Sequence, residues 1–285
     1  QLHVADGDGH SLLVSCGAAI ELTEIALRAH GWRITSTLLP DPNDPDLLSR
    51  MDLVLTSEPD RIAQAKLAAA GRRRSDRRVF APALVSSEET ERLRSSAHAA
   101  GVYAHFPVRA DEGLDLAVAI SKADRYEHAD PAYLAEMARW VHTGDSVTDG
   151  IPNSAVPLVD PEHPRHTDIP LRDFEIGVPG GQLTSAGADE RPLIAVIFTE
   201  ADGPREQVRA GQAMMRLMIQ AELDGIATCP LSQSVDLLSF RSELRALMGW
   251  TGFPQMMLRL GYKPTTVPAP LTKRRPIAEV LTVTP

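Results

Sequence analysis

GQAMMRLMIQAELDGIATCPLSQSVDLLSFRSELRALMGWTGFPQMMLRL, residues Gly211–Leu260, holds two segments that read as buried, separated by a short connector. In the first, Ala213, Met214, Met215, Leu217, Met218, Ile219, Ala221 and Leu223 spread around most of a helical wheel. A helix apolar on that many sides belongs in an interior. Gly225 supplies the left-handed stop, and Ile226 to Gln233 follows as a connector in which Pro230 excludes a helix and a central strand. A second helix is expected from about Ser234 to Met248, and Gln255 to Leu260 reads as a short strand. The order is buried helix, glycine turn, connector, helix, strand.

The same spacing occurs once more. Gly17 to His30, GAAIELTEIALRAH, is apolar over most of a helix and stops at Gly31, so Gly17 to Gly31 matches Gly211 to Gly225 in length. After each come a connector, a Leu-Leu-Ser triplet (Leu47 to Ser49, Leu237 to Ser239) and an apolar strand, Asp52 to Thr56 in the first copy. Either two Ala-rich helices resemble each other by chance, or the chain is a fused pseudo-twofold dimer with a long central helix in each half. The second reading gives an α+β fold with a mostly antiparallel sheet flanked by helices.

Composition bounds the partners. Lys and Arg total 29 against 38 Asp and Glu in 285 residues, a net charge of −9, which argues against nucleic acid and anionic membranes. No apolar run approaches the ~20 residues of a membrane helix. The two cysteines, Cys16 and Cys229, have no metal-ligand spacing and make no disulfide framework, so a reducing cytoplasm is expected. The first residue is Gln, and an N-terminal segment is expected to be missing.

Within this acidic chain, RRRSDRR at Arg72 to Arg78 concentrates positive charge around a hydroxyl, with Val79 and Phe80 as apolar anchors. Guanidinium groups beside a short hydroxyl suit a phosphate monoester, and a solvated charged loop is the other reading. Further elements follow local rules. Ser86 and Glu89 form a capping box for a helix to about Ala100; Val102 to Val108 reads as a strand; helices fit Asp111 to Ala123 and Pro131 to Val141. Pro192 to Thr199, PLIAVIFT, is a continuous apolar strand expected at the sheet centre. Between them, Gly144 to Arg191 is rich in Pro and Gly and longer than ordinary loops. Its apolar residues suggest a lid docked over a pocket, with Phe174 or Ile176 as the plug.

Taken together, RRSDRRVF (Arg73 to Phe80), EMARWV (Glu136 to Val141) with Asp149-Gly150, RAGQA (Arg209 to Ala213), PQMMLRLGY (Pro254 to Tyr262) and KRRPIAEVL (Lys273 to Leu281) resemble one family. The chain is similar along essentially its whole length to the FMN-dependent nitroreductase superfamily, and within it to the dormancy-associated Acg-like branch, in which two nitroreductase-like halves are fused. The resemblance implies that residues 1–70 end the first half and 71–285 form the second, with the lid at 144–191. It implies that Arg73, Ser75 and Arg77 contact the flavin phosphate and the pyrimidine edge of the ring, and that Lys273, Arg274 or Arg275 completes the phosphate site. Cys229, Pro230, Leu231 and Ser232 would lie along the isoalloxazine, mainly through backbone groups.

Two departures accompany it. The family's Pro-Ser-x-x-Asn-x-Gln-Pro-Trp segment would lie before Gln1, and the matching place in the second half, Ala99 to His105, reads AAGVYAH. At most one flavin site is therefore expected, in a chain that is its own pseudo-dimer and monomeric. Two functions use such a site. One is an oxidoreductase passing electrons from NAD(P)H to a nitroaromatic or quinone-like acceptor, with no obligatory catalytic side chain and no metal. The other is a flavin-storage protein whose lid withholds the chemistry.

Overall fold

The computed structural model describes residues 2–55, 58–99, 101–107, 110–142, 149–158, 183–184, 190–264 and 268–283. Its helices are α1 (His10–Ala29), α2 (Arg61–Arg72), α3 (Ser87–Ala97), α4 (Ala110–His128), α5 (Pro131–Trp140), α6 (Pro204–Leu223), α7 (Gln233–Asp236) and α8 (Leu238–Leu247). The main strands are β1 (Trp32–Leu38), β2 (Ser49–Leu55), β3 (Val102–His105), β4 (Leu193–Thr199), β5 (Ile226–Leu231) and β6 (Phe253–Tyr262). One four-stranded sheet runs β3-β4-β6-β5, every neighbour antiparallel, and β1 and β2 form a separate antiparallel pair. The fold is α+β, with helices flanking mostly antiparallel sheet.

Strand alternation sorts the core into two layers. Along β4, Ala195 and Ile197 join the layer shared with α1, α3 and α6, while Ile194, Val196 and Phe198 join Leu116 and Ile120 of α4 and Leu244 of α8. β4 is apolar throughout because both its faces are covered, and it lies inside the sheet, between β3 and β6. In the first layer α6 buries Leu217, Met218 and Ile219, each worth roughly 1.5 to 3 kcal/mol of transfer free energy.

Both long helices have 20 residues, and one offset relates their first residues, their last residues and their glycine stops. Gly31 (φ 86°) and Gly225 (φ 74°) hold the left-handed conformation that a Cβ disfavours. Each helix begins a full turn or more before its apolar pattern suggests. Pro204 fits the first position of α6, where no N–H is needed, and α1 starts inside the polar stretch because His10 and Val14 are buried. A strand follows each helix, and a later antiparallel strand returns beside it, pairing Trp32 with Leu55 and Ile226 with Tyr262.

Three local expectations change. The connector after α6 is a strand, β5, with Pro230 opposite Leu258; β5 is an edge strand, where a proline need not donate to a ladder. The helix expected from Ser234 to Met248 is two, interrupted at Leu237, whose φ and ψ of −100° and 132° are extended. The Leu-Leu-Ser match also dissolves, because Ser49 begins β2 whereas Ser239 lies inside α8. The capping box stands: Ser86 Oγ accepts from Glu89 N–H at 3.2 Å and Glu89 Oε2 accepts from Ser86 N–H at 2.9 Å. Phe174, Ile176 and most of 144–191 lie outside the described residues.

Candidate functional site

The arginine-rich segment leaves α2 at Arg72 and runs extended along the outer edge of β5. Ser75 bridges Thr228 in parallel, and the Asp76 N–H donates to the Thr228 carbonyl at 2.9 Å. The segment and the connector expected to touch one cofactor are therefore neighbours. Cys229 and Leu231 are buried in β5, Pro230 is half-buried, and Ser232 precedes α7.

What fixes the segment is a charge inside the sheet. Arg259 of β6, fully buried, donates to the carbonyls of Arg78 (2.7 Å) and Asp76 (3.4 Å) and pairs with Glu190, also fully buried. Glu190 in turn accepts the Phe80 N–H at 2.7 Å, and the Arg259 guanidinium lies 3.6 Å from the centre of the Phe80 ring. That ring packs so closely on Gly261 that a Cβ there would stand 2.5 Å from it. A carboxylate, a ring and two carbonyls thus surround one guanidinium, the condition under which a buried charge is tolerable.

The charges along the segment are not equivalent. Arg78 is held by Asp76 in a bidentate pair, at 2.9 and 2.6 Å, which pushes the Arg78 pKa up through that hydrogen bond. Arg72 shares Glu222 with Lys263. Arg73 is different: burial, then the nearby positive charges of Arg274 and Arg74, press its pKa down, and Glu222 offsets them only in part. Arg74 keeps its Nε buried without a hydrogen bond, as does the Thr228 hydroxyl; both border a cavity of about 210 Å³ that Arg72, Arg78 and Lys263 also line, with Asp76 and Glu222. This volume is below the roughly 300 Å³ at which pockets enclose whole ligands. None of Arg73, Ser75, Arg77, Lys273, Arg274 or Arg275 is among its described lining residues.

Among the residues expected in the site, Arg73 and Arg274 stand within each other's field, and Ser75 adjoins β5 next to Cys229. Arg275 is engaged elsewhere, on Asp149 at 3.0 Å. Arg77 and Lys273 each make a further interaction of their own. Sequence reasoning missed Arg259 and Glu190, although an arginine inside the apolar run QMMLRL was a signal. Among the described residues, no group of three or more His, Cys, Asp or Glu could hold a metal ion, and no helix is long and apolar enough to cross a membrane.

No protein-family model matches the chain. A Mycobacterium tuberculosis (strain H37Rv) protein named "Putative NAD(P)H nitroreductase Rv3131" is 32% identical over 287 residues, covering 99% of this chain and 80% of that one. Another from the same strain, "Putative NAD(P)H nitroreductase acg", is 29% identical, covering 99% and 84%. Two solved structures are also similar: an FMN-dependent nitroreductase of Mycobacterium smegmatis in complex with NADPH (19% identity, 79% and 100% covered, TM-score 0.45), and a nitroreductase with bound FMN from Desulfitobacterium hafniense (14%, 78% and 98%, 0.46). The chain belongs to the nitroreductase superfamily and, within it, to the Acg-like branch.

Proposed function

We propose that this nitroreductase-like oxidoreductase binds FMN beside β5 and uses it to pass electrons from NAD(P)H to a nitroaromatic or quinone-like acceptor. The observation that carries the reading is the arginine segment docked on β5 at Thr228, with Arg73 in the field of Arg74 and Arg274 and, on the cavity side, the Arg74 Nε and the Thr228 hydroxyl buried without hydrogen bonds. A phosphate would complete that arrangement with charge-assisted hydrogen bonds. When bound, FMN would supply the hydride chemistry. The chain would hold the phosphate with Arg73, Ser75 and Arg274, favour negative charge on the ring through Arg77, and line the ring with the backbone of Cys229 to Ser232. The relatives' names, with NAD(P)H in both, support the donor.

The same reading takes residues 1–70 as the end of one half and 71–285 as the second. Its support is the shared offset of α1 and α6 and the antiparallel strand pair that follows each. It makes the chain a pseudo-dimer in itself, and a monomer in solution.

The test is a titration with FMN followed by anaerobic mixing with NADPH or NADH. Two charge-assisted bonds of about 1.5 to 3 kcal/mol each mean that Arg73→Ala should weaken FMN binding by roughly tenfold or more. Unchanged affinity would remove the segment from the site. Bound flavin that neither nucleotide reduces would overturn the reductase and favour storage.

A further inference from the structure

A cavity of about 630 Å³ lies on the opposite edge of the sheet from the arginine segment. It is bounded by the outer strand β3, the end of β4, the start of α4 and the Trp250 turn between α8 and β6. Its volume falls within the ~300 to 1,000 Å³ of small-molecule sites. Nothing in the proposed flavin chemistry uses it.

Its walls combine two chemistries. Phe198 and Trp250 meet edge to face at 84°, with centroids 4.5 Å apart, and the His105 ring stands at 69° to Trp250, 5.9 Å away. Tyr103 adds a fourth ring whose hydroxyl donates to Glu200 at 2.8 Å. Beside the rings lie two carboxylates, Glu200 at the end of β4 and Glu112 in α4, and none of the described lining residues is Lys or Arg. His105 Nε2 is buried without a hydrogen bond and stands 3.7 Å from Glu112 Oε1. The turn is braced from outside: Arg245 donates to the carbonyls of Thr251 and Gly252 and stacks 3.9 Å over Phe253. That guanidinium is committed to the back of the wall, leaving the cavity its negative charge.

We propose that this cavity is a second small-molecule site, specific for an organic cation such as a quaternary or aromatic ammonium compound. Ring faces attract a cation through their quadrupole, and the two carboxylates add a field of the same sign. A large, weakly hydrated ammonium group fits rings better than a small, strongly hydrated metal ion, which would ask for more oxygen ligands than two separate carboxylates. Four rings and two acids therefore select for both charge and apolar bulk.

The test uses choline and 3,3-dimethylbutan-1-ol, in which carbon replaces the quaternary nitrogen, titrated into the full chain by calorimetry. Choline should bind saturably and about tenfold or more tighter than the alcohol. The doubly substituted Glu112→Gln, Glu200→Gln protein should lose about tenfold in choline affinity while keeping its FMN affinity. Trp250→Leu should lose choline binding as well. Equal binding of the alcohol, no saturable choline binding, or an unchanged affinity in the double variant would each overturn the proposal. Because the carboxamide variants alter neither ring packing nor the arginine segment, a failure here is distinct from a failure of the flavin reading.

Discussion

Gly17 of α1 and Gly211 of α6 each lie directly against the other's helix backbone. A Cβ on Gly17 would stand 2.0 Å from the Val208 carbonyl oxygen, and one on Gly211 would stand 1.9 Å from the Val14 carbonyl oxygen. The relation is reciprocal, each glycine meeting the carbonyl three residues before the other, as at a twofold contact between identical helices.

Alanine at either position should therefore separate the helices. Backbone cannot yield as a side-chain tip can, so we expect Gly17→Ala and Gly211→Ala each to cost about 1 to 3 kcal/mol or more in urea unfolding, despite alanine's ~1 kcal/mol advantage in helix propensity. The double variant should cost less than the two single costs together, because the first substitution already opens the contact. Two neutral single variants would show that the crossing is not under this constraint.

Arg259 should prove costly to remove and specific in its effect. Truncation to Ala leaves Glu190 buried and unpaired, a loss on the order of 3 to 5 kcal/mol. Arg259→Met with Glu190→Gln keeps volume without an orphan charge and should recover much of the stability. It should still weaken FMN binding, since the carbonyls of Asp76 and Arg78 lose their donor. Full recovery of both properties would reduce Arg259 to a packing role.

The pH dependence of stability is expected to run through His10. It is fully buried, with Nε2 2.8 Å from Gln255 Oε1, whose amide nitrogen donates to Thr199 and Asp202. Burial first, then Arg241, pushes its pKa below the ordinary 6.5. In the unfolded chain the imidazole takes up a proton near pH 6.5, which the folded one refuses. Unfolding thus gains protons in that window, and stability falls as pH drops from about 6.5 toward the lower folded value. His10→Gln should flatten the urea midpoint between pH 7 and 5; equal slopes in both proteins would exclude His10 as the cause.

At α3, the hydroxyl of Ser86 caps one end while Glu89 also accepts from Tyr262 at 2.7 Å. Hydrogen bonds from Ser86 and Tyr262 hold the Glu89 pKa below the usual carboxylate range. Ser86→Ala is expected to cost about 1 kcal/mol, read as a lower thermal midpoint. Tyr262→Phe measures the link to β6 separately.

The two long helices and the inner strand β4 were legible because each is apolar over more than one face, a pattern that needs no partner to interpret. The starts of α1 and α6 were not: His10 and Gln207 are polar and buried, and only tertiary partners make that tolerable. In the candidate site, the cluster of arginines announced itself, but not their division of labour. Asp76 neutralising Arg78, and Arg274 approaching Arg73, depend on which residues the fold brings together. The aromatic cavity was invisible for a related reason, since Tyr103, Glu112, Phe198 and Trp250 come from four separate places in the chain.

Pro230 gives β5 an edge with a stop in it. Thr228 presents its carbonyl outward to Asp76, and Pro230, two residues on, shares that outward parity without an N–H to offer. Sliding the arginine segment forward by two residues would set its bridge against a position with no donor. The docked register is thus the one that the edge can satisfy, and a foreign strand seeking to extend the sheet meets the same gap. One imino acid both aligns a loop and closes a sheet to recruitment.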